Sequence, residues 1–398
     1  MKRVLFVCYG GGHVAMVLPV ARALQGSGAA NVQVLALTTA APVVRAAGLA
    51  LLQVKDFLTS QDDAALAQGR KLLAAMGPVD DPSESAAYLG LCYAELVDQV
   101  GQEEAELRYR RDGRQAFLPQ ALLSRILRTV RPDLLVATNS PRAERAAVLA
   151  ARDLGIYAVC MVDLFAIDEV RWIGGPGYAD KVCVLNEQVR QFLLQAGRRA
   201  DEVQVTGNPA FDVLASPEVL KQGLALRQAR GWGGRHVVLC PAQIEPPFHP
   251  FNGRPGDTQL PEKLLQLLLD WVLQQDDIVL CVRPRAGEGP PSLPRDGRVC
   301  LTGQDWPLPP LLAAVDAVVT FGSTVGLQGA LAGTRLVQVL GSVFDDAMPL
   351  LRFGIADAAV PLGELVPVLE QWVRTPRRAV ANLPVATPSV LAVLSEFL

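Results

Sequence analysis

A chain of 398 residues exceeds what one ordinary hydrophobic core organises, so two domains are expected. Half of the residues are hydrophobic and the formal net charge is −3, which excludes the basic surplus of a nucleic-acid binder. No run is long and apolar enough to span a membrane, and the seven cysteines, odd in number and without a CxxC pair, read as buried thiols of a reducing, cytoplasmic protein.

Along the chain, Arg3-Val-Leu-Phe-Val-Cys8 is the nearly continuous apolar run of a strand buried on both faces. Its flanks do not resemble a signal peptide. Glycines 10 to 12 follow, and residues 14–24 have helical spacing. A second strand is expected over 32–37 and a helix over 42–47. Residues 60–130 read as mostly helical, with the charged stretch 103–112 facing solvent. Strand and helix signals then alternate over 134–138, 142–154, 157–162, 181–185, 187–196 and 203–206. After Gly207-Asn208-Pro209 a second series runs through 236–240, 264–273, 278–282, 299–301, 311–314, 317–320, a helix from Thr324, and 336–340.

Such alternation predicts an α/β protein of two Rossmann-like, doubly wound parallel sheets, with domains 1–207 and 208–398. The proline-rich stretches 241–261 and 284–294 read as working loops at a sheet edge. Ligands of open parallel sheets bind beyond the carboxyl ends of the strands, which brings forward residues 10–13, 139–144, 283–288 and 322–328. Two such edges facing each other predict a small-molecule cleft between the domains.

The loop Tyr9-Gly10-Gly11-Gly12-His13 joins the first strand to the first helix, where glycines let a backbone approach an anion; Gly11 and Gly12 are the expected contacts. It satisfies a loose G-x-G-x-x-G/A pattern, but Leu37-Thr38-Thr39 stands where a dinucleotide site needs an acid, so nicotinamide and flavin are disfavoured. Gly322-Ser323-Thr324-Val325-Gly326-Leu327-Gln328 opens a helix after an apolar strand. Its hydroxyls and N–H groups can cradle a diphosphate, with Gly322, Ser323, Thr324 and Gly326 around it and Gln328 reaching a ribose. Arg283 and Arg285 flank a proline at the same edge and suit phosphate oxygens, although a solvated basic loop explains either one alone. For a general base the candidates are Asp163 at the end of an apolar strand, His13, Glu144 and Glu169. Three histidines and no paired acids at metal-ligand spacing predict no metal.

These residues resemble the two-domain GT-B fold of nucleotide-sugar enzymes. The Gly10–His13 loop is similar to that of the N-acetylglucosaminyl transferase of peptidoglycan-precursor synthesis. Val205-Thr206-Gly207-Asn208-Pro209 resembles a segment shared by that transferase and UDP-N-acetylglucosamine 2-epimerases, and Tyr178-Ala179-Asp180-Lys181-Val182 through Asn186-Glu187 is epimerase-like. The stretch 323–333 resembles the nucleotide-binding helix of both groups and of capsule-polymer transferases. The chain departs at Gln328, where both groups commonly hold ribose with a glutamate, and at Asp163, which takes the place of a catalytic glutamate of the epimerases. It departs again at Cys240-Pro241-Ala242-Gln243-Ile244-Glu245, where epimerases carry a His-Arg-Arg-Glu-Asn-like stretch.

The resemblance therefore implies a metal-independent glycosyltransferase of polysaccharide biosynthesis, with a nucleotide-sugar donor and no cofactor. Its acceptor, a glycan, a lipid-linked molecule or a protein, stays open, as do peripheral membrane contact and oligomeric state. The alternatives are an epimerase or hydrolase of the nucleotide sugar and a non-catalytic sugar-nucleotide-binding protein.

Overall fold

The computed structural model describes residues 1–249, 253–285, 291–303, 306–378 and 385–398. It divides into two compact units, Met1–Ala210 with Val385–Leu398, and Phe211–Pro384.

The first unit holds a parallel sheet of seven strands: β1 (Lys2–Cys8), β2 (Ala30–Ala36), β3 (Ala50–Leu52), β4 (Leu134–Thr138), β5 (Tyr157–Met161), β6 (Lys181–Val184) and β7 (Val203–Val205). Their order is β3-β2-β1-β4-β5-β6-β7, so the winding reverses between β1 and β4. Phe6 lies opposite Val34 on one side and Val136 on the other, all fully buried, as the unbroken apolar run of β1 predicts. The 60–130 region is helical as expected, in helices Asp63–Ala74, Pro82–Val100, Gln102–Asp112 and Gln120–Val130.

The second unit holds six parallel strands: β8 (His236–Pro241), β9 (Ile278–Arg283), β10 (Val299–Leu301), β11 (Ala317–Thr320), β12 (Arg335–Leu340) and β13 (Ala358–Pro361). The order β10-β9-β8-β11-β12-β13 reverses between β8 and β11. The short edge strands β3 and β13 are additions to the sequence expectation. All seven cysteines are free thiols, six of them buried.

One boundary differs from expectation. The chain leaves the first unit after Ala210, near the expected 207, but residues 385–398 belong to the first unit rather than to a 208–398 domain. The cause is apolar burial. Helix Ala386–Ser395 packs Val390, Val393 and Leu394 into the core that Val14, Val17 and Val20 share with β1. Lys181 reaches Glu396 at 2.9 Å and Phe397 packs on Tyr157, which seals the contact. Parts of the proline-rich loops (250–252 and 286–290) and of the expected 283–288 segment lie outside the described residues.

Candidate functional site

In the first unit the site builds up where the winding reverses, beyond the ends of β1, β4 and β5. Gly11 has φ +66°, and a Cβ on Gly10 would lie 1.9 Å from Thr39 Oγ1, so both positions demand glycine for local reasons. A Cβ on Gly11 or Gly12 would meet no atom within 4 Å, which leaves their backbone open to a ligand.

His13 follows. Its Nδ1 is 2.6 Å from Thr138 Oγ1 and 3.8 Å from Glu144 Oε2. Glu144, expected among the bases, is instead a clamp. It is completely buried and accepts from the backbone N–H of Tyr9 (2.7 Å) and of Ser140 (3.0 Å), tying the end of β1 to the end of β4. Burial pushes its carboxyl pKa up, opposed by His13 and the Thr138 hydroxyl bond. With both oxygens engaged and no solvent face, it can orient His13 but not reach a substrate.

Asp163 is half-buried, just past β5. Its Oδ1 accepts from Asn139 Nδ2 (2.9 Å) and from Leu164 N–H (2.7 Å). Its own N–H donates to Asn139 Oδ1 at 3.1 Å, and its carbonyl accepts from Asn208 Nδ2 at 2.7 Å. Oδ2 keeps no hydrogen bond among the described residues. Ala166, between Asp163 and Glu169, holds φ +53°, an uncommon conformation for a side-chain-bearing residue. Glu169 has its pKa pushed up, above all by burial, with Asp163 and Asp168 adding to it and His13 opposing. Asn139, within the 139–144 segment expected at this edge, and Asn208 fix Asp163, and neither stands among the individual candidate site residues.

In the second unit a cavity of about 660 Å³ opens beyond β8, β9 and β11, lined among others by Gln243, Arg283, Arg285, Ser323, Thr324 and Phe344. Ser323 caps helix Thr324–Leu331: its Oγ accepts from Val325 N–H at 3.1 Å, and its own N–H donates to Thr320 Oγ1 at 3.1 Å. Gln243 Oε1 accepts from the Thr320 hydroxyl and from Phe321 N–H (2.9 Å), fixing the turn that leads into the helix. Neither Gln243 nor Thr320 stood among the expected site residues. Arg283 donates to the Trp306 carbonyl at 3.1 Å, and burial lowers its pKa. Arg285 lines the cavity from an exposed position.

Three expected contacts, Gly322, Gly326 and Gln328, are not among the residues that line the cavity. Gly326 is buried, and a Cβ there would lie 2.5 Å from Thr320 Cγ2; it packs the helix against β11 and does not face the cavity. Gln328, one turn further on, is outside the cavity lining. Gly322 borders the turn, where a Cβ would come within 3.0 Å of Met348 Cβ. Among the described residues no group of three or more His, Cys, Asp or Glu is placed to hold a metal ion, and no helix is long and apolar enough to cross a membrane.

Solved structures share this architecture along the whole chain. The UDP-GlcNAc 2-epimerase of Methanocaldococcus jannaschii matches with TM-score 0.57 at 9% identity, covering 99% of this chain and 100% of its own. MnaA of S. aureus, solved with UDP, matches with TM-score 0.55 at 11% identity over 98% and 91%. The Neisseria meningitidis UDP-GlcNAc 2-epimerase, bound to UDP-GlcNAc, matches with TM-score 0.54 at 13% identity over 99% and 100%. No protein-family model and no curated protein matches the sequence. The fold is thus the GT-B-like pairing of two Rossmann-type domains found in UDP-GlcNAc 2-epimerases. At these identities the likeness is one of fold.

Proposed function

We propose that the chain is an enzyme acting on a nucleotide sugar, and that it changes the sugar within that molecule, as an epimerase or hydrolase of the UDP-GlcNAc 2-epimerase kind. The observation that carries the reading is the second-unit cavity, which joins a capped helix N-terminus to Arg283 and Arg285 at the reversal point of a parallel sheet. Diphosphates are stabilised by such termini and by guanidinium forks. The sharing of a fold with 2-epimerases over the full length supports chemistry on the sugar itself. The positions of His13 after β1 and of Asp163 and Glu169 after β5, at the carboxyl edge of the first unit's sheet, support it too, because epimerisation must take a proton from one face of a carbon and return one to the other. Metal independence belongs to the same proposal, since the arginines and the helix terminus neutralise the diphosphate; turnover is expected to survive EDTA.

Glycosyl transfer to an acceptor is the second reading, favoured by the His13–Thr138 bond, which would orient an imidazole toward an acceptor hydroxyl. Incubation of UDP-GlcNAc with the protein in D2O separates the two. Epimerisation at C2 breaks and remakes the C2–H bond and so introduces deuterium there; hydrolysis releases UDP and free sugar; a transferase leaves the donor intact until an acceptor consumes it, and the transferred sugar carries no deuterium at C2. The binding half is tested by Ser323→Ala with Thr324→Ala. Lost hydrogen bonds to a charged group cost about 1.5–3 kcal/mol each, so UDP affinity in calorimetry should drop about tenfold or more. Unchanged affinity would remove the nucleotide from this cavity.

A further inference from the structure

Cys281 and Cys300 stand on the neighbouring parallel strands β9 and β10, directly opposite each other in register. Opposed residues of adjacent strands send their side chains to the same face of the sheet. The two Sγ atoms are accordingly 2.8 Å apart. Neighbouring strands run about 4.8 Å apart, inside the roughly 4.4–6.8 Å between Cα atoms that a disulfide tolerates, and a covalent S–S bond is about 0.8 Å shorter than this contact. Other cysteines on paired strands are not so placed. Cys160 is opposite Val182 and Cys183 opposite Met161, so an offset of one residue sends their side chains to opposite faces. Cys240 is opposite Val282, with the same offset from Cys281.

The two thiols also differ in a way that suits stepwise chemistry. Cys281 is fully buried, and burial pushes its pKa up, so it keeps its proton. Cys300 is partly exposed on the edge strand β10. The hydrogen bond with Cys281 lowers its pKa against the effect of burial, and the charge of Arg230 lowers it further. That guanidinium is itself held by stacking, 3.9 Å from the centroid of the Trp306 ring.

We propose that Cys281 and Cys300 are a redox-active pair, joined reversibly as a disulfide that staples the edge strand β10 to β9. The oxidant is a low-molecular-weight disulfide, with oxidised glutathione as the probe. The Cys300 thiolate attacks one of its sulfurs, forms a mixed disulfide and expels one glutathione thiolate. Cys281 then gives up its proton, attacks the Cys300 sulfur and expels the second. Two electrons and two protons pass from the protein thiols to the oxidant, which leaves as two glutathione thiols. The bond falls just before Arg283 on β9 and just before Thr302 after β10, and both of those residues line the second-unit cavity. Its formation does not depend on which substrate that cavity takes.

The full chain, reduced and folded, is incubated with mixtures of reduced and oxidised glutathione and quenched in acid. Free thiols are then trapped by alkylation in denaturant and counted by intact mass. As the oxidised fraction rises, two of the seven thiols should become unreactive together, with no glutathione retained, and dithiothreitol should restore both. A non-reduced digest should contain one linked pair of peptides, holding Cys281 and Cys300. Cys281→Ser should stop the sequence at a stable glutathione adduct on Cys300. The wild-type digest needs no variant, so misfolding of the serine variant leaves the test intact. Seven reactive thiols throughout, glutathione retained on wild-type Cys300, or a linked pair containing any other cysteine would overturn the proposal.

Discussion

His13 and Asp163 are held in different ways, and the difference bears on which of them takes a proton. Thr138 Oγ1 lies 2.6 Å from His13 Nδ1. A hydroxyl that accepts Nδ1–H leaves the lone pair on Nε2, and one that donates to Nδ1 leaves Nε2 protonated. Asp163 is pinned through one oxygen by Asn139 and Leu164 and keeps the other for a ligand. If Asp163 is the base, Asp163→Asn should lower turnover of UDP-GlcNAc about 10²–10⁴-fold while UDP binding changes little. If His13 is the base, His13→Ala produces that loss and Asp163→Asn stays active. Wild-type rates in both variants would transfer the role to Glu169. Asp163 and His13 were legible as candidates because each is a polar residue that ends or follows an apolar run. That Glu144 is a clamp was not legible, since Tyr9, far away in sequence, is brought to it by the pairing of β1 with β4, and only the Ser140 contact is local.

At the scale of elements, helix Pro82–Val100 shows how a terminus is set by chemistry remote in sequence. Asp81 caps it by accepting from Glu84 N–H at 3.0 Å, and its second oxygen meets Lys55 Nζ at 2.6 Å. The Lys55 bond holds the Asp81 carboxyl well below the usual carboxylate range. A folded-state pKa below the unfolded one contributes stability in full above about pH 4, and loses it as pH falls through the folded value. Asp81→Asn keeps a capping side chain and removes the charge. In urea unfolding it should be less stable than wild type at pH 7 by about 0.5–1 kcal/mol, a figure set by partial solvent screening. The gap should narrow steadily below about pH 4. A deficit that stays constant down to pH 2 would rule out the Lys55 contact as its source. The strands absent from the sequence reading, β3 and β13, are three and four residues long and lie at sheet edges. A strand that short carries too few alternations for its period to be read, and pairing with a longer neighbour makes it a strand.

For the whole molecule, the decisive event is the return of the C-terminus to the first unit. Val390, Val393 and Leu394 are buried there, and each such side chain contributes roughly 1.5–3 kcal/mol on leaving water. Deleting residues 385–398 should therefore destabilise the first unit by several kcal/mol while leaving the second folded. Hydrogen exchange by mass spectrometry should show faster exchange in β1 and β2 and unchanged protection in β8 and β9. Equal protection of β1 with and without the segment would show that the helix adds nothing to that core.

Much of this architecture was present in the linear pattern. Buried parallel strands are continuous apolar runs, and the helices between them carry a different period, so the alternation of 134–206 and of 236–340 specified two doubly wound sheets. The glycine loop and the Ser323 cap were visible for the same local reason: turns and helix starts have chemical requirements that neighbouring residues reveal. Long-range pairing settled the rest. An apolar helix such as Ala386–Ser395 has the same pattern whichever core it covers, so its home depends on which surface is left exposed by the rest of the chain. Gly326 has the sequence of a ligand contact and the surroundings of a packing contact, because Thr320 lies under it once the helix folds back on β11.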